Sequence, residues 1–287
     1  MLFTIDAAHR CLGALVLIFA LDAAAAQLPD TVSFPSRDGT TQLTGYLFKP
    51  NGAGPHPAIV MLHGRSGPYS VAAKGVYTAA TLTQRHKSWG EFWAERGYLA
   101  LHVDSFGPRG YAQGFPIHSY QDRPAEVSEQ TVRPLDAYGA LEYLRGRTDV
   151  IADRVGVQGW SNGAMTLLAT LADTAPGIAQ PTPQTGFRAA LALYPGCRVQ
   201  EKQDYRPYAP LLMLLAAEDK EVSPVVCQRL AQQTLARGAE LEVVVYAGAQ
   251  HSFDDPGSRK QANDANRAAM SDARIRAERF FAQHLLK

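Results

Sequence analysis

Five residues, Gly159-Trp160-Ser161-Asn162-Gly163, constrain this chain more than any other stretch. The residues before them, Arg154-Val155-Gly156-Val157-Gln158, read as a short buried strand, and Ala164 to Leu171 carries the apolar density of a helix. The serine therefore falls at a strand-to-helix turn. Such a turn is cramped, and glycines two residues before and two after the serine leave room where a Cβ would collide with a neighbouring strand or helix. A serine forced outward at this kind of turn is presented as a nucleophile.

The rest of the pattern supplies a sheet for that turn to sit on. Residues 31–34 and 42–48 read as a hairpin across Asp38-Gly39. Beyond it, 57–62, 98–103, 189–193, 211–215 and 241–246 are continuous apolar runs of the kind buried on both faces. Helical candidates at 89–96, 131–146, 162–172, 224–237 and 258–286 alternate with them. This alternation predicts an α/β architecture, a mostly parallel central sheet with helices on both faces. With the elbow at Ser161, that is the α/β-hydrolase fold. Two longer loops, 65–87 and 105–130, leave the carboxyl ends of strands, where open α/β sheets place ligands.

A serine hydroxyl needs a base to take its proton, and the base needs a third group to hold its tautomer. In this fold the order is serine, acid, histidine. Only His251 and His284 follow Ser161. His284 lies near the end of the terminal helix, whereas His251 follows the 241–246 strand across a short loop and is the expected base. Asp219 follows the 211–215 strand directly and is the expected acid, with its neighbour Glu218 as competitor. The backbone N–H groups of Asn162 and Arg65 are the expected oxyanion donors. His63 precedes the nucleophile and reads as a brace for the Gly64–Gly67 loop. Trp160, Tyr69, Tyr111 and Phe115 are candidate pocket aromatics.

Residues 1–26 read as a cleavable signal peptide: Arg10, an apolar run from Cys11 to Leu21, then Ala24-Ala25-Ala26. The run is too short to span a bilayer, so residues 27–287 are expected as a single domain, exported to the periplasm or secreted, with no membrane association after cleavage. Cys197 and Cys227 then remain as an even pair, and an oxidising compartment predicts that they join. A formal charge of +1 with no basic, aromatic-laced stripe argues against nucleic acid as partner. A monomer is expected.

Taken in order, Met61-Leu62-His63-Gly64-Arg65-Ser66-Gly67, the 97–110 segment ending in Asp104-Ser105-Phe106-Gly107-Pro108-Arg109-Gly110, the elbow, Tyr194-Pro195-Gly196-Cys197, Ala217-Glu218-Asp219 and Tyr246 to Asp254 resemble the dienelactone hydrolase family. The resemblance covers nearly all of residues 27–287. It implies hydrolysis of a small-molecule ester or lactone through an acyl-enzyme, with no metal or organic cofactor. The founding members carry cysteine in the elbow and glutamate in the oxyanion loop, where this chain has Ser161 and Gly64. They also hold a substrate carboxylate with two arginines; Arg109 matches one, and Asp254-Asp255 stands where the other would be. The resemblance with these departures implies a general serine esterase acting on a neutral or singly anionic ester, with Arg109 either a candidate anion binder or the cation of a loop-bracing salt bridge. A serine peptidase or amidase of the same fold, and a non-catalytic binding module, are the alternatives.

Overall fold

The computed structural model describes residues 28–287; the signal peptide expected at 1–26 lies outside the described residues. Eight strands form one sheet: β1 (Asp30–Pro35), β2 (Gln42–Phe48), β3 (His56–Leu62), β4 (Leu99–Asp104), β5 (Val150–Trp160), β6 (Ala190–Leu193), β7 (Leu211–Ala216) and β8 (Leu241–Tyr246). Their spatial order is β1-β2-β4-β3-β5-β6-β7-β8. The β1–β2 and β2–β4 pairings are antiparallel and all the others parallel. This is the α/β-hydrolase sheet that the alternation of apolar runs predicted.

Because strand side chains alternate between faces, each apolar run feeds two cores at once. Ala58, Val60 and Leu62 of β3 join Leu211, Met213 and Leu215 of β7 on one face; Ile59, Met61, Leu212 and Leu214 join on the other. The first face is covered by α2 (Arg133–Arg145), α3 (Asn162–Leu171) and α5 (Pro224–Ala236). The second is covered by α1 (Gln84–Glu95) and α7 (Asp264–Leu285). Two single-turn helices, α4 (Arg198–Glu201) and α6 (Ser258–Gln261), complete the set. In α7 the residues Ala269, Ala273 and Ala277 recur every four positions, a smooth stripe that lets the helix lie close to the sheet.

Two helix boundaries differ from the sequence reading by more than two residues. Helix α1 begins five residues earlier than predicted, at Gln84, because Thr83 Oγ1 accepts the N–H of His86 and caps it. Its polar first turn, Gln84-Arg85-His86-Lys87, shows no apolar period, yet Arg85 and His86 are buried. The terminal helix is not continuous from 258: Asn263 Oδ1 accepts the N–H groups of Ala265 and Asn266 at 2.8 and 3.3 Å, which ends α6 and starts α7.

Cys197 and Cys227 form a disulfide, with Cα atoms 5.1 Å apart, joining the start of α4 to α5. It closes a loop with a sequence separation of 30 residues. Replacing both cysteines by serine is expected to lower unfolding free energy by about 3 kcal/mol on the chain-entropy account. Guanidinium titration of the oxidised protein and the double variant measures this, and a difference below about 1 kcal/mol would contradict that account here.

Candidate active site

The elbow is built as its glycines require. Ser161 has φ 52° and ψ −115°, a strained combination for a residue with a Cβ. A Cβ on Gly163 would overlap the carbonyl of Leu62 at the end of β3, so only glycine lets α3 start against that strand. All ten residues of α3 are buried, which fixes the helix and hence the serine. Arg133, fully buried on α2, donates to Asn162 Oδ1 at 2.5 Å and to the His63 carbonyl at 2.8 Å. One guanidinium thus joins the first residue of α3 to the loop after β3.

Ser161 Oγ lies 3.0 Å from His251 Nε2, and His251 Nδ1 lies 2.6 Å from Asp219 Oδ2. The Asp219 side chain is 1% exposed. Its other oxygen accepts the N–H groups of Glu221 and Val222 at 2.8 and 3.0 Å, which fixes its direction. Serine, histidine and aspartate therefore stand in one hydrogen-bonded line, as their order in the chain predicted. The competitor Glu218 is exposed. The His251 loop is held from behind by the terminal segment: Lys260 Nζ donates to the His251 carbonyl at 2.7 Å, and Asn266 Oδ1 accepts from the Gln250 N–H at 2.8 Å.

A cavity of about 40 Å³ over the serine is lined by Gly64, Arg65, Ser66, Arg85, Trp160, Ser161, Glu221, His251 and Ser252. That is room for about one water molecule. Arg65 and Glu221 form one wall of it, an ion pair of 3.2 Å with both side chains about a quarter exposed. Arg65 Nη1 also donates to the Phe115 carbonyl at 3.1 Å. Arg85 is the other cation: Nη1 donates to Tyr194 OH at 3.1 Å, and buried Nε has no partner among the described residues. Burial alone would lower its pKa, but Tyr194 and Asp254 beside it raise it.

Several sequence expectations are redirected. Arg109 does not line this cavity: its guanidinium donates to Asp136 through both terminal nitrogens at 2.9 and 2.8 Å and to Asp38 at 2.6 Å. It braces the loop after β4 to α2 and to the β1–β2 turn. Tyr69 lies in a different concavity, hydrogen-bonded to Tyr46 at 2.6 Å and to buried Asp104 at 2.8 Å. Tyr111 bonds Glu126 at 2.8 Å, and Phe115 reaches the site only through its carbonyl. Trp160 does line the cavity, although its ring is fully buried and donates to Asp254 at 2.8 Å.

Asp254 is not an acidic replacement in a substrate clamp. It is 1% exposed and accepts from Trp89, Trp160 and Tyr194 at 2.8, 2.8 and 2.5 Å. It gathers the residue before the nucleophile, helix α1 and the tyrosine whose ring edge meets His251. His63 is a brace, as expected: Nδ1 bonds the Gly64 carbonyl at 2.8 Å and Nε2 accepts the Ser105 N–H at 3.2 Å. Contacts across distant loops bring Arg85, Glu221 and Asp254 to the site, and local pattern does not report them; Thr83, a residue type favoured as a helix N-cap, is the one sequence signal able to start α1 early enough to include Arg85.

The dienelactone hydrolase family model matches residues 43–285, and the chain belongs to that family. It is a carboxylic ester hydrolase of the dienelactone hydrolase type. Solved structures of similar fold include a dienelactone hydrolase homologue from Klebsiella pneumoniae, with 18% identity and a TM-score of 0.64, covering 88% of this chain and 99% of that one. A dienelactone hydrolase-like promiscuous phosphotriesterase from metagenomic libraries is 19% identical with a TM-score of 0.62, covering 90% and 99%. Esterase 2 of Thermogutta terrifontis, bound to propionate, is 18% identical with a TM-score of 0.58, covering 85% and 92%.

Proposed function

We propose that the protein is a serine esterase that cleaves short-chain carboxylic esters or lactones through an acyl-enzyme. The observation that carries this reading is the Ser161–His251–Asp219 line. Ser161 Oγ attacks the carbonyl carbon while its proton passes to His251 Nε2, and Asp219 holds Nδ1–H and steadies the imidazolium. The oxyanion is received by the backbone N–H groups of Asn162, at the unsatisfied first turn of α3, and of Arg65. Collapse expels the alcohol with the proton from Nε2, and water then repeats the sequence on the acyl group. The family implies no metal or organic cofactor, and these steps use none.

The substrate is a neutral or singly anionic small molecule. With Arg109 engaged elsewhere, Arg85 is the cation assigned to an anionic acyl substituent: its guanidinium lines the nucleophile's cavity, Nη1 stands 3.9 Å from Asp254 Oδ1, and the buried Nε–H has no partner among the described residues. The disulfide supports export to an oxidising compartment.

Monoethyl fumarate and its neutral amide counterpart, ethyl fumaramate, differ only in that substituent. Wild-type protein should favour the carboxylate in kcat/KM, and Arg85→Gln should lower that preference about tenfold, the worth of one charge-assisted hydrogen bond. The ratio is independent of how much protein is folded. An unchanged ratio removes Arg85 from recognition. Aminoacyl anilides outpacing nitrophenyl esters would replace the esterase reading with an amidase.

A further inference from the structure

Asp219 and Glu221 leave the same turn and face the two nitrogens of one imidazole. Asp219 Oδ2 is 2.6 Å from His251 Nδ1, while Glu221 Oε2 is 3.6 Å from His251 Nε2 and 3.2 Å from Arg65 Nε. The turn fixes this arrangement, because Asp219 Oδ1 accepts the Glu221 N–H itself. The other groups facing His251 are Ser161 at Nε2, the edge of Tyr194, Lys260 at its carbonyl and Arg85 across the cavity.

We propose that Glu221 is a second carboxylate serving His251, a positioning residue whose charge favours the imidazolium and whose ion pair with Arg65 holds it at a working distance. The interaction changes during the reaction. In the resting site Nε2 offers a lone pair to the serine O–H, and a carboxylate nearby gains nothing from it. When the Ser161 proton moves to Nε2 as the Oγ–C bond forms, the ring becomes a cation and the same carboxylate attracts it. An interaction that appears only after proton transfer lowers the barrier rather than merely tightening binding.

Distance decides whether this helps or harms. At 3.6 Å Glu221 stands beyond a good hydrogen bond, so it stabilises the cation without intercepting the proton that must pass to the leaving alkoxide. Arg65 keeps it there. The same Arg65 donates to the Phe115 carbonyl, and the Phe115 N–H returns to the Arg65 carbonyl at 2.8 Å, so the counter-ion is anchored at both ends. Released from Arg65, the carboxylate could close on Nε2–H and hold the imidazolium in an unproductive pair.

The prediction is a reversal of sign in a double-mutant cycle. Glu221→Gln keeps the shape and an acceptor for Arg65 but removes the charge, and should lower kcat about tenfold with KM within about threefold of wild type. Arg65→Met should lower kcat further. Adding Glu221→Gln to Arg65→Met should then raise kcat by about fivefold, because the trapping carboxylate is gone. Active sites are counted by titration with a phosphonate that labels serine, so partly unfolded protein does not enter kcat.

A purely structural ion pair gives the opposite pattern, in which the double variant is no faster than Arg65→Met. That result, or Glu221→Gln turning over like wild type, overturns the proposal. It rests on the Ser161 esterase reading, and the two fail separately. A Ser161→Ala protein as active as wild type sinks that reading, whereas Ser161-dependent turnover indifferent to Glu221 sinks this one alone.

Discussion

Replacing Ser161 by alanine is expected to lower kcat on a short-chain ester by about 10⁵-fold or more, the loss seen when the nucleophile of such a line is removed. Stability should barely move. The strained backbone at φ 52° is imposed by β5, α3 and the Gly163 contact with Leu62, none of which the hydroxyl supports, and alanine carries the same Cβ. The variant should therefore unfold within about 1 kcal/mol of wild type, the range of substitutions that remove no packing.

His251→Ala should cost nearly as much as Ser161→Ala, and the double variant little more than either, because serine and histidine act as one unit. Asp219→Asn should cost less, about 10³- to 10⁴-fold, since the amide cannot both keep its two backbone N–H donors and accept Nδ1–H as a carboxylate does. Steady-state rates on nitrophenyl butyrate for these four proteins, with circular dichroism on each, check the set. Additive losses would mean that serine and histidine do not work together, despite their 3.0 Å contact.

These three residues were legible in the sequence because their placement is topological. A serine between two glycines after a buried run, an acid just past the β7 run and a histidine past the β8 run must all reach the same edge of a parallel sheet. Legibility stopped where a residue's meaning depends on what packs against it. The sequence left Arg109 open between an anion binder and a loop-bracing salt bridge, and only the approach of α2 shows that Asp136 takes its guanidinium. Asp254, read with Asp255 as an acidic pair in place of a substrate-clamp arginine, is a buried acceptor for two indoles and a phenol, while Asp255 next to it is partly exposed. The polar start of α1 hid Arg85 for the same reason: periodicity reports which faces are apolar and is silent about buried charges.

Beneath the elbow, the fold carries a liability to acid that should be nearly as large in effect. His63, His86 and His102 are fully buried, with His86 and His102 ring centroids 4.2 Å apart and both packed on Trp160, the residue before the nucleophile. Burial lowers the pKa of each. The Arg133 charge adds to this at His63 and at His102, which falls to about 3, and the neighbouring His102 adds to it at His86. All three are neutral in the fold and titrate near 6.5 once unfolded. The unfolded chain therefore binds more protons below that pH, and stability is lost as pH falls from about 6.5 towards 3.

Each histidine contributes a slope of about 1.4 kcal/mol per pH unit. Asp104 opposes them: burial raises its pKa, so the folded state takes up a proton before the unfolded one and regains some stability as pH falls through that raised pKa. Three histidines against one carboxylate leave a net loss of stability as the pH falls below 6.5. Neither ring nitrogen of His102 has a hydrogen-bond partner among the described residues, so His102→Phe keeps the aromatic stack and loses no bond. That variant should unfold at a pH lower by about 0.5 and with a slope reduced by one proton's worth, read from urea midpoints between pH 7 and 4. An unaltered slope would mean that His102 protonates inside the fold, and that the layer under Ser161 admits charge and water that its packing should exclude.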